Sequence, residues 1–280
     1  MSRATQNGTA SAVARPAEAA LLQLRNLTRL YGALRAVDDL SFDLHRGEVL
    51  GIGGPNGAGK TTLFDLVSGL TKTTAGQIFL ENQDVTDLTP DERCRLGIAR
   101  TFQLNAAFDG LTALENVQVA ALFGGRENRL LPRLFIDAAT RKKSLDALDR
   151  VGLADRAAAP VDDMPVLERK LLMVAGAIVT EPRLLMMDEP VGGLTPSEIE
   201  LVQGVVEGLK RDGLTILLIE HVMHFLMALS DRVLIMHHGS KLFEGLPEEV
   251  AKDPEVIHVY LGQKATDRLQ QWYLGQSQHD

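Results

Sequence analysis

Apolar residues along this chain fall into short blocks, and the spacing inside the blocks changes from one region to the next. Residues 22–30 and 37–44 show partial period-2 alternation, which predicts exposed-edge antiparallel strands with Tyr31 and Gly32 between them. Residues 48–53 are mostly apolar and predict a buried strand, entered through a turn at Gly47. Blocks at 77–80 (after an Ala75-Gly76 turn), 98–102, 184–187, 215–219, 233–236 and 241–244 predict further strands. Helical spacing predicts helices over 61–69, 112–122, 137–151, 168–179, 196–210 and 222–229, with a short one over 247–252. Thr89 followed by Pro90, Asp91 and Glu92 is a helix start, with Thr89 as cap and Pro90 in the first helical position. Gly124, Gly125 and Pro132 mark a loop, and the weak strand signal of residues 105–165 predicts a helical subdomain. The alternation of apolar strands with helices predicts an α/β fold, a parallel sheet with helices on both faces. No internal repeat is visible.

Composition narrows the class. A length of 280 residues and 45% hydrophobic content support one large α/β domain or two small ones, and a mean hydropathy of 0.00 is ordinary for a soluble protein. The net charge of -8 argues against nonspecific nucleic-acid binding, which needs clustered Lys and Arg. A single cysteine, Cys94, excludes an intrachain disulfide and a multi-cysteine metal site, and suits a packed thiol in a reducing compartment. No apolar run reaches the ~20 residues of a membrane helix, and the run 171–179 reads as a buried helix. Residues 1–20 are rich in Ala, Ser and Thr without a compact apolar block, and are expected to be a disordered leader. Any membrane role must then come through a partner.

The stretch Gly54-Pro55-Asn56-Gly57-Ala58-Gly59-Lys60-Thr61-Thr62 fits the phosphate-binding loop G-x-x-x-x-G-K-[ST]. Glycines let backbone N–H groups converge on phosphate oxygens. Lys60 brings positive charge to the β and γ phosphates, and the Thr61 hydroxyl can ligate Mg²⁺. A strand before the loop and a helix after it complete the context, with the helix N-terminus toward the anion. Downstream, residues 184–187 are apolar and end at Asp188, Glu189 and Pro190. Alone, such acids are an ordinary solvated turn. In a chain with a phosphate loop, Asp188 suits Mg²⁺ and Glu189 suits polarising the attacking water. His221 follows the next apolar strand, where it could contact the γ-phosphate or simply cap the strand. Gln103 follows the strand at 98–102 and is unremarkable alone; it becomes a candidate for the metal and for catalysis only as part of the constellation that follows.

Lys60, Gln103, Asp188, Glu189 and His221, in that order, resemble the constellation of ABC transporter ATP-binding subunits. The resemblance covers about residues 21–262, leaving 263–280 as a C-terminal extension. It is strongest to the branched-chain amino-acid importers: residues 97–103 (GIARTFQ) resemble their Q-loop segment, 218–221 (LIEH) their switch-histidine segment, and 256–262 (VIHVYLG) their C-terminal ending. The resemblance implies a P-loop NTPase with a RecA-like parallel-sheet core, an antiparallel β subdomain and a helical subdomain over about 105–180. It implies ATP and Mg²⁺ as cofactors, with Tyr31 stacking on adenine. It implies a second ATPase subunit, two permease subunits, an indirect solute-binding protein, and a peripheral place on the cytoplasmic face of the membrane. Residues 104–108 (LNAAF) would meet a permease coupling helix or lie buried as a loop.

One motif departs from the family. Where such ATPases carry a sequence resembling L-S-G-G-Q or L-S-Y-G-Q, this chain reads Met164-Pro165-Val166-Leu167-Glu168. Proline has no N–H, leucine replaces a glycine, and Glu168 adds negative charge that Arg169 could offset. Gly176 stands where an arginine is usual, and the loop 191–195 (VGGLT) lacks the common aspartate. The reading is an ATPase subunit that favours a heterodimer with a signature-bearing partner. A nucleotide-binding regulator or a non-transport ABC protein with little turnover is the rival.

Overall fold

The computed structural model describes residues 20–101, 107–124 and 136–261. The first two strands, β1 (Ala20–Tyr31) and β2 (Leu34–His45), pair antiparallel as expected. They are followed by β3 (Val49–Gly53), α1 (Lys60–Ser68), β4 (Ala75–Leu80), β5 (Gln83–Asp84), α2 (Pro90–Arg95) and β6 (Ile98–Arg100). Then come α3 (Ala113–Phe123), α4 (Ala138–Arg150), α5 (Val166–Ile178), β7 (Leu184–Asp188), α6 (Pro196–Arg211) and β8 (Thr215–Ile219). The chain closes with α7 (Met223–Leu229), β9 (Arg232–His237), β10 (Ser240–Gly245), α8 (Pro247–Val250) and α9 (Pro254–Leu261).

Two sheets form among the described residues. The antiparallel sheet runs β2-β1-β4-β5, so β1 is interior and only β2 of the first pair lies at an edge. Leu21, Leu22, Leu24 and Leu27 are all fully buried in the core shared with α1 and the parallel sheet, and β4 pairs along the other edge of β1 from about fifty residues downstream. The second sheet runs β10-β9-β3-β8-β7-β6, parallel except for β10, which forms an antiparallel hairpin with β9. Its interior strands are continuous apolar runs, the pattern of strands buried on both faces.

Alternate residues of that sheet feed two cores. Leu185, Met187, Ile216, Leu218, Val233 and Ile235 pack with Leu172 of α5, Val202 and Val206 of α6, and Phe225 and Leu226 of α7. Leu50, Ile52, Leu184, Met186, Leu217 and Leu234 pack with Leu63, Phe64 and Val67 of α1 and with the antiparallel sheet. Helices lie on both faces as expected, and one face is shared by α1 and the antiparallel sheet. Gly51 has no room for a Cβ, which would lie 2.8 Å from the Leu226 side chain, so α7 sits close against β3.

Polar ends fix the helices. Thr195 and Glu198 bond reciprocally at the start of α6, and Thr112 and Glu115 do so at α3. Buried Arg93 of α2 donates to Leu66 O and Val67 O at 2.5 and 2.9 Å, placing a cation at the carbonyl end of α1. Some segments differ from expectation, the short strand β5 among them. β6 ends at Arg100, α9 forms where no helix is predicted, and residues 75–76 start β4 instead of turning. Phe102, Gln103, residues 104–106, Gly125 and Pro132 lie outside the described residues, as do most of the leader and the C-terminal extension.

Candidate functional site

β3 delivers the chain into residues 54–59, and two glycines there are dictated by close backbone. Gly54 has φ +145, and a Cβ on it would lie 2.4 Å from Met236 O. Gly59 has φ +102, and its Cβ would lie 2.1 Å from Ala36 O. The loop is also tied sideways: Gly239 of the β9–β10 turn donates to Ala58 O at 3.0 Å and accepts from Asp38 N at 2.9 Å. Asn56, Gly57 and Thr61 are exposed, Pro55 and Thr62 half-buried, and Ala58 buried. Gly59 caps α1 without a side-chain hydrogen bond, so no side chain of the cap occupies the helix N-terminus. Lys60 donates from Nζ to Gly54 O at 2.7 Å and Pro55 O at 3.1 Å. Burial pushes its ammonium below the usual lysine range, and the charges of Glu189 and Asp188 oppose that shift. A lysine that feels both acids shares their site.

The acids stand at the end of β7, two strands from β3 with β8 between. Asp188 is half-buried, and burial pushes its carboxyl up while Arg100 pulls it down. Arg100 Nη2 donates to Asp188 Oδ2 at 2.8 Å. Glu189 follows with φ +47, and its half-exposed side chain places Oε1 3.8 Å from His221 Nδ1. His221 Nδ1 is also 3.6 Å from Glu220 Oε2. Glu220 is completely buried and accepts three backbone N–H groups, from Val191 (3.0 Å), His221 (2.9 Å) and Val222 (3.2 Å). It therefore ties the turn after β7 to the turn after β8. Lys170 of α5 adds a bond from Nζ to Glu189 O at 3.0 Å. Burial lowers its ammonium, against the opposing charges of Glu220 and Glu189.

The structure thus brings Lys60, Asp188, Glu189 and His221 to the carboxyl ends of the neighbouring strands β3, β7 and β8. Tyr31 ends β1, 45% exposed, with the Arg29 guanidinium 4.4 Å above its ring. Its hairpin is the one whose Ala36 backs the phosphate loop. Gln103 lies outside the described residues. Arg100, Glu220 and Lys170 are the residues to which sequence reading gave no role. An arginine closing a short apolar strand, and a carboxylate directly before a histidine, were the available signals. Neither reveals a partner that arrives from elsewhere in the chain.

At α5, Pro165 is the N-cap and makes no side-chain cap bond. Val166 is 45% exposed and Leu167 packs on the core. Glu168 is offset by Arg156, at 3.0 Å, and not by Arg169, which donates to Met164 O and Asp162 O. The first turn of this helix presents apolar and acidic side chains. Along the later turns of α5, a cavity of about 300 Å³ lies between β6, α3 and α5, walled by Cys94, Arg100, Phe108, Phe123, Met173 and Gly176. At the end of the 104–108 segment Phe108 is 55% exposed, while Ala107 packs against the core. Burial pushes the Cys94 thiol up, as expected of a packed cysteine.

A glycine-built anion cradle at a helix N-terminus, with hard oxygen donors on a nearby strand, defines a P-loop nucleotide-binding protein of the α/β class. The family profile for ABC transporters matches residues 37–192, and a profile described as branched-chain amino acid ATP-binding cassette transporter matches residues 240–266. The chain belongs to the ABC transporter family and is an ATPase. The high-affinity branched-chain amino acid transport ATP-binding protein LivG of Escherichia coli is 36% identical, over 87% of this chain and 98% of its own. BraF of Pseudomonas aeruginosa, of the same description, is 34% identical over 87% and 98%. A nucleotide-free ATP-binding cassette from an ABC transporter superposes with a TM-score of 0.78 at 28% identity, covering 88% of this chain and 100% of that one. The ADP conformation of such a cassette gives 0.78, 28%, 88% and 100%. The resemblance read from residues 97–103, 218–221 and 256–262 is borne out. Among the described residues, no helix is long and apolar enough to cross a membrane.

Proposed function

We propose that this chain is the ATP-binding subunit of an importer for branched-chain amino acids or related small solutes. It works at the cytoplasmic face of the membrane with two permease subunits and, through them, a solute-binding protein. The observation that carries the reading is the meeting of Lys60, Asp188, Glu189 and His221 at the ends of three neighbouring strands. The descriptions of the LivG and BraF relatives supply the solute class.

Each residue has a role. Backbone N–H groups of residues 54–62 and the Lys60 ammonium bind the phosphates, and Tyr31 stacks on adenine. Thr61, Asp188 and Gln103 hold Mg²⁺. The Thr61 hydroxyl and Asp188 carboxylate are hard oxygen donors, which suit that ion. When bound, Mg²⁺ supplies charge neutralisation at the phosphate oxygens. Glu189 accepts a proton as the water oxygen bonds to the γ-phosphorus and the bond to ADP breaks. His221, beside Glu189, contacts the γ-phosphate.

The partner is a second ATPase chain of different sequence. In a head-to-tail dimer each ATP lies between one chain's phosphate loop and the other's α5 start. Two copies of this chain would place both ATPs against Pro165, Val166 and Leu167. Missing donors at a developing phosphoryl charge cost about 10²–10³ in rate. A partner with serine and glycine there completes the site on Lys60. The test is ATP hydrolysis by the reconstituted heterodimer carrying one glutamate change at a time. Glu189→Gln here should abolish nearly all turnover, and the equivalent change in the partner should leave much of it. The reverse pattern refutes the assignment.

A further inference from the structure

Arg100 ends β6, between the helix that follows the phosphate loop and the strand that carries the acids. Its Nη1 donates to Asp65 Oδ1 on α1 at 2.6 Å and to Ser68 Oγ at 3.2 Å, while Nη2 donates to Asp188 Oδ2 at 2.8 Å. The guanidinium also lies 5.5 Å from the Phe64 ring centroid. Its side chain is 8% exposed and that of Asp188 12%. Exposed ion pairs contribute little because water competes and both side chains move. Neither escape is open here. A planar fork gripped by α1 at one end holds its other end in one place.

That grip divides the Asp188 carboxylate. Oδ2 is taken by Arg100, and no hydrogen bond is made to Oδ1 among the described residues. The charges favour a cation as well: Arg100 is offset by Asp65, so the three groups together carry net negative charge.

We infer that Arg100 is a positioning residue for the divalent cation that accompanies ATP: it anchors Asp188 to α1 through Oδ2 and reserves Oδ1 for the cation. The inference rests on the metal role proposed for Asp188. Losing a partner of this kind, one shell out from a metal, costs about 10–100-fold in metal affinity. A purely electrostatic view gives the opposite sign. Removing a positive charge beside the site would tighten Mg²⁺ binding, so experiment can separate the two.

The experiment is the ATP affinity of the purified chain by calorimetry, with and without Mg²⁺. The ratio of the two affinities measures the metal's contribution, and general damage to the loop or fold divides out. Wild type should show tighter binding with Mg²⁺, and Asp188→Asn should lose most of that gain. Arg100→Gln should bring the ratio down about 10–100-fold or to the level of Asp188→Asn. Arg100→Lys keeps the charge without the fork and should recover only part of the ratio. Asp65→Asn keeps the Arg100–Asp188 pair, loosens its anchor, and should lose less. An unchanged or larger ratio in Arg100→Gln overturns the inference. If that variant does not fold, unchanged ratios in both Arg100→Lys and Asp65→Asn overturn it instead. A gain lost in Asp188→Asn but kept in the Arg100 variants removes Arg100 alone. No Mg²⁺ gain in wild type removes the metal reading of Asp188 together with it.

Discussion

Replacing Glu220 with glutamine tests how two turns of the site are held together. The carboxylate is completely buried, and its two oxygens divide three backbone donors. Val191 N–H goes to Oε1, and His221 and Val222 N–H go to Oε2. Glutamine has the same shape but one acceptor oxygen, and its NH₂ can only donate. If the amide oxygen serves His221 and Val222, the NH₂ faces the buried Val191 N–H. If it serves Val191, two donors are stranded. The milder choice leaves one buried donor without a partner, which costs about 1–3 kcal/mol. Glu220→Ala removes the acceptor for all three and should cost more than the glutamine variant, at about 1–3 kcal/mol for each donor that water does not reach. The assay is urea unfolding followed by circular dichroism, reading the midpoint at constant slope. Glu189→Gln is the control. Its half-exposed carboxylate should change stability by no more than ~0.5 kcal/mol. A Glu220→Gln midpoint equal to that of wild type would show that the buried carboxylate holds neither turn.

Gly59→Ala combines a strained φ of +102 with a Cβ 2.1 Å from Ala36 O, and should destabilise by at least ~2 kcal/mol, read as a lower Tm. At Gly57, φ is +81 and no atom lies within 4 Å of the added Cβ, so Gly57→Ala should cost only about 1–2 kcal/mol of backbone strain. Phe225→Ala empties a fully buried site and should lower the urea midpoint by the equivalent of about 3–5 kcal/mol. The Thr195 backbone N–H, and then its hydroxyl, hold the Glu198 carboxyl below its ordinary value of 4.5. Because the folded value is depressed, the capping contribution is complete above pH 4.5 and is lost as pH falls through the folded value. Carboxyl titration by NMR should find Glu198 below 4.5 in wild type and shifted upward in Thr195→Ala. An unchanged titration would mean that the capping box does not form.

The sequence made the parallel core legible because its strands are apolar runs that end in polar residues. Residues 49–53, 184–188 and 215–219 each announce a buried body and a chemical end. Thr89 and Pro90 gave the start of α2 by purely local chemistry. What stayed hidden depends on contacts brought from far along the chain. Alternation in β1 cannot say whether β4 will cover its flank. Asp65, Arg100 and Asp188 lie on three different elements, and only the packing of α1, β6 and β7 makes them a unit. Glu168 illustrates the same limit. Sequence proximity suggests Arg169 as its counter-charge, whereas the fold delivers Arg156.

The strand that carries the phosphate loop sits between β8 and β9, and the loop itself is tied through Ala58 to Gly239. A chain emerging from the ribosome therefore contains the whole phosphate-binding motif by Thr62, yet lacks both flanking strands until residues 215–219 and 232–237 have been made. Pairing across such sequence separation is slow, because loop closure must precede any gain from contact. The folded loop is therefore complete only once β8 and β9 have paired with β3. By mass action ATP should then stabilise chains that contain β9 and the Gly239 tie, and leave fragments that stop short of β9 unstabilised.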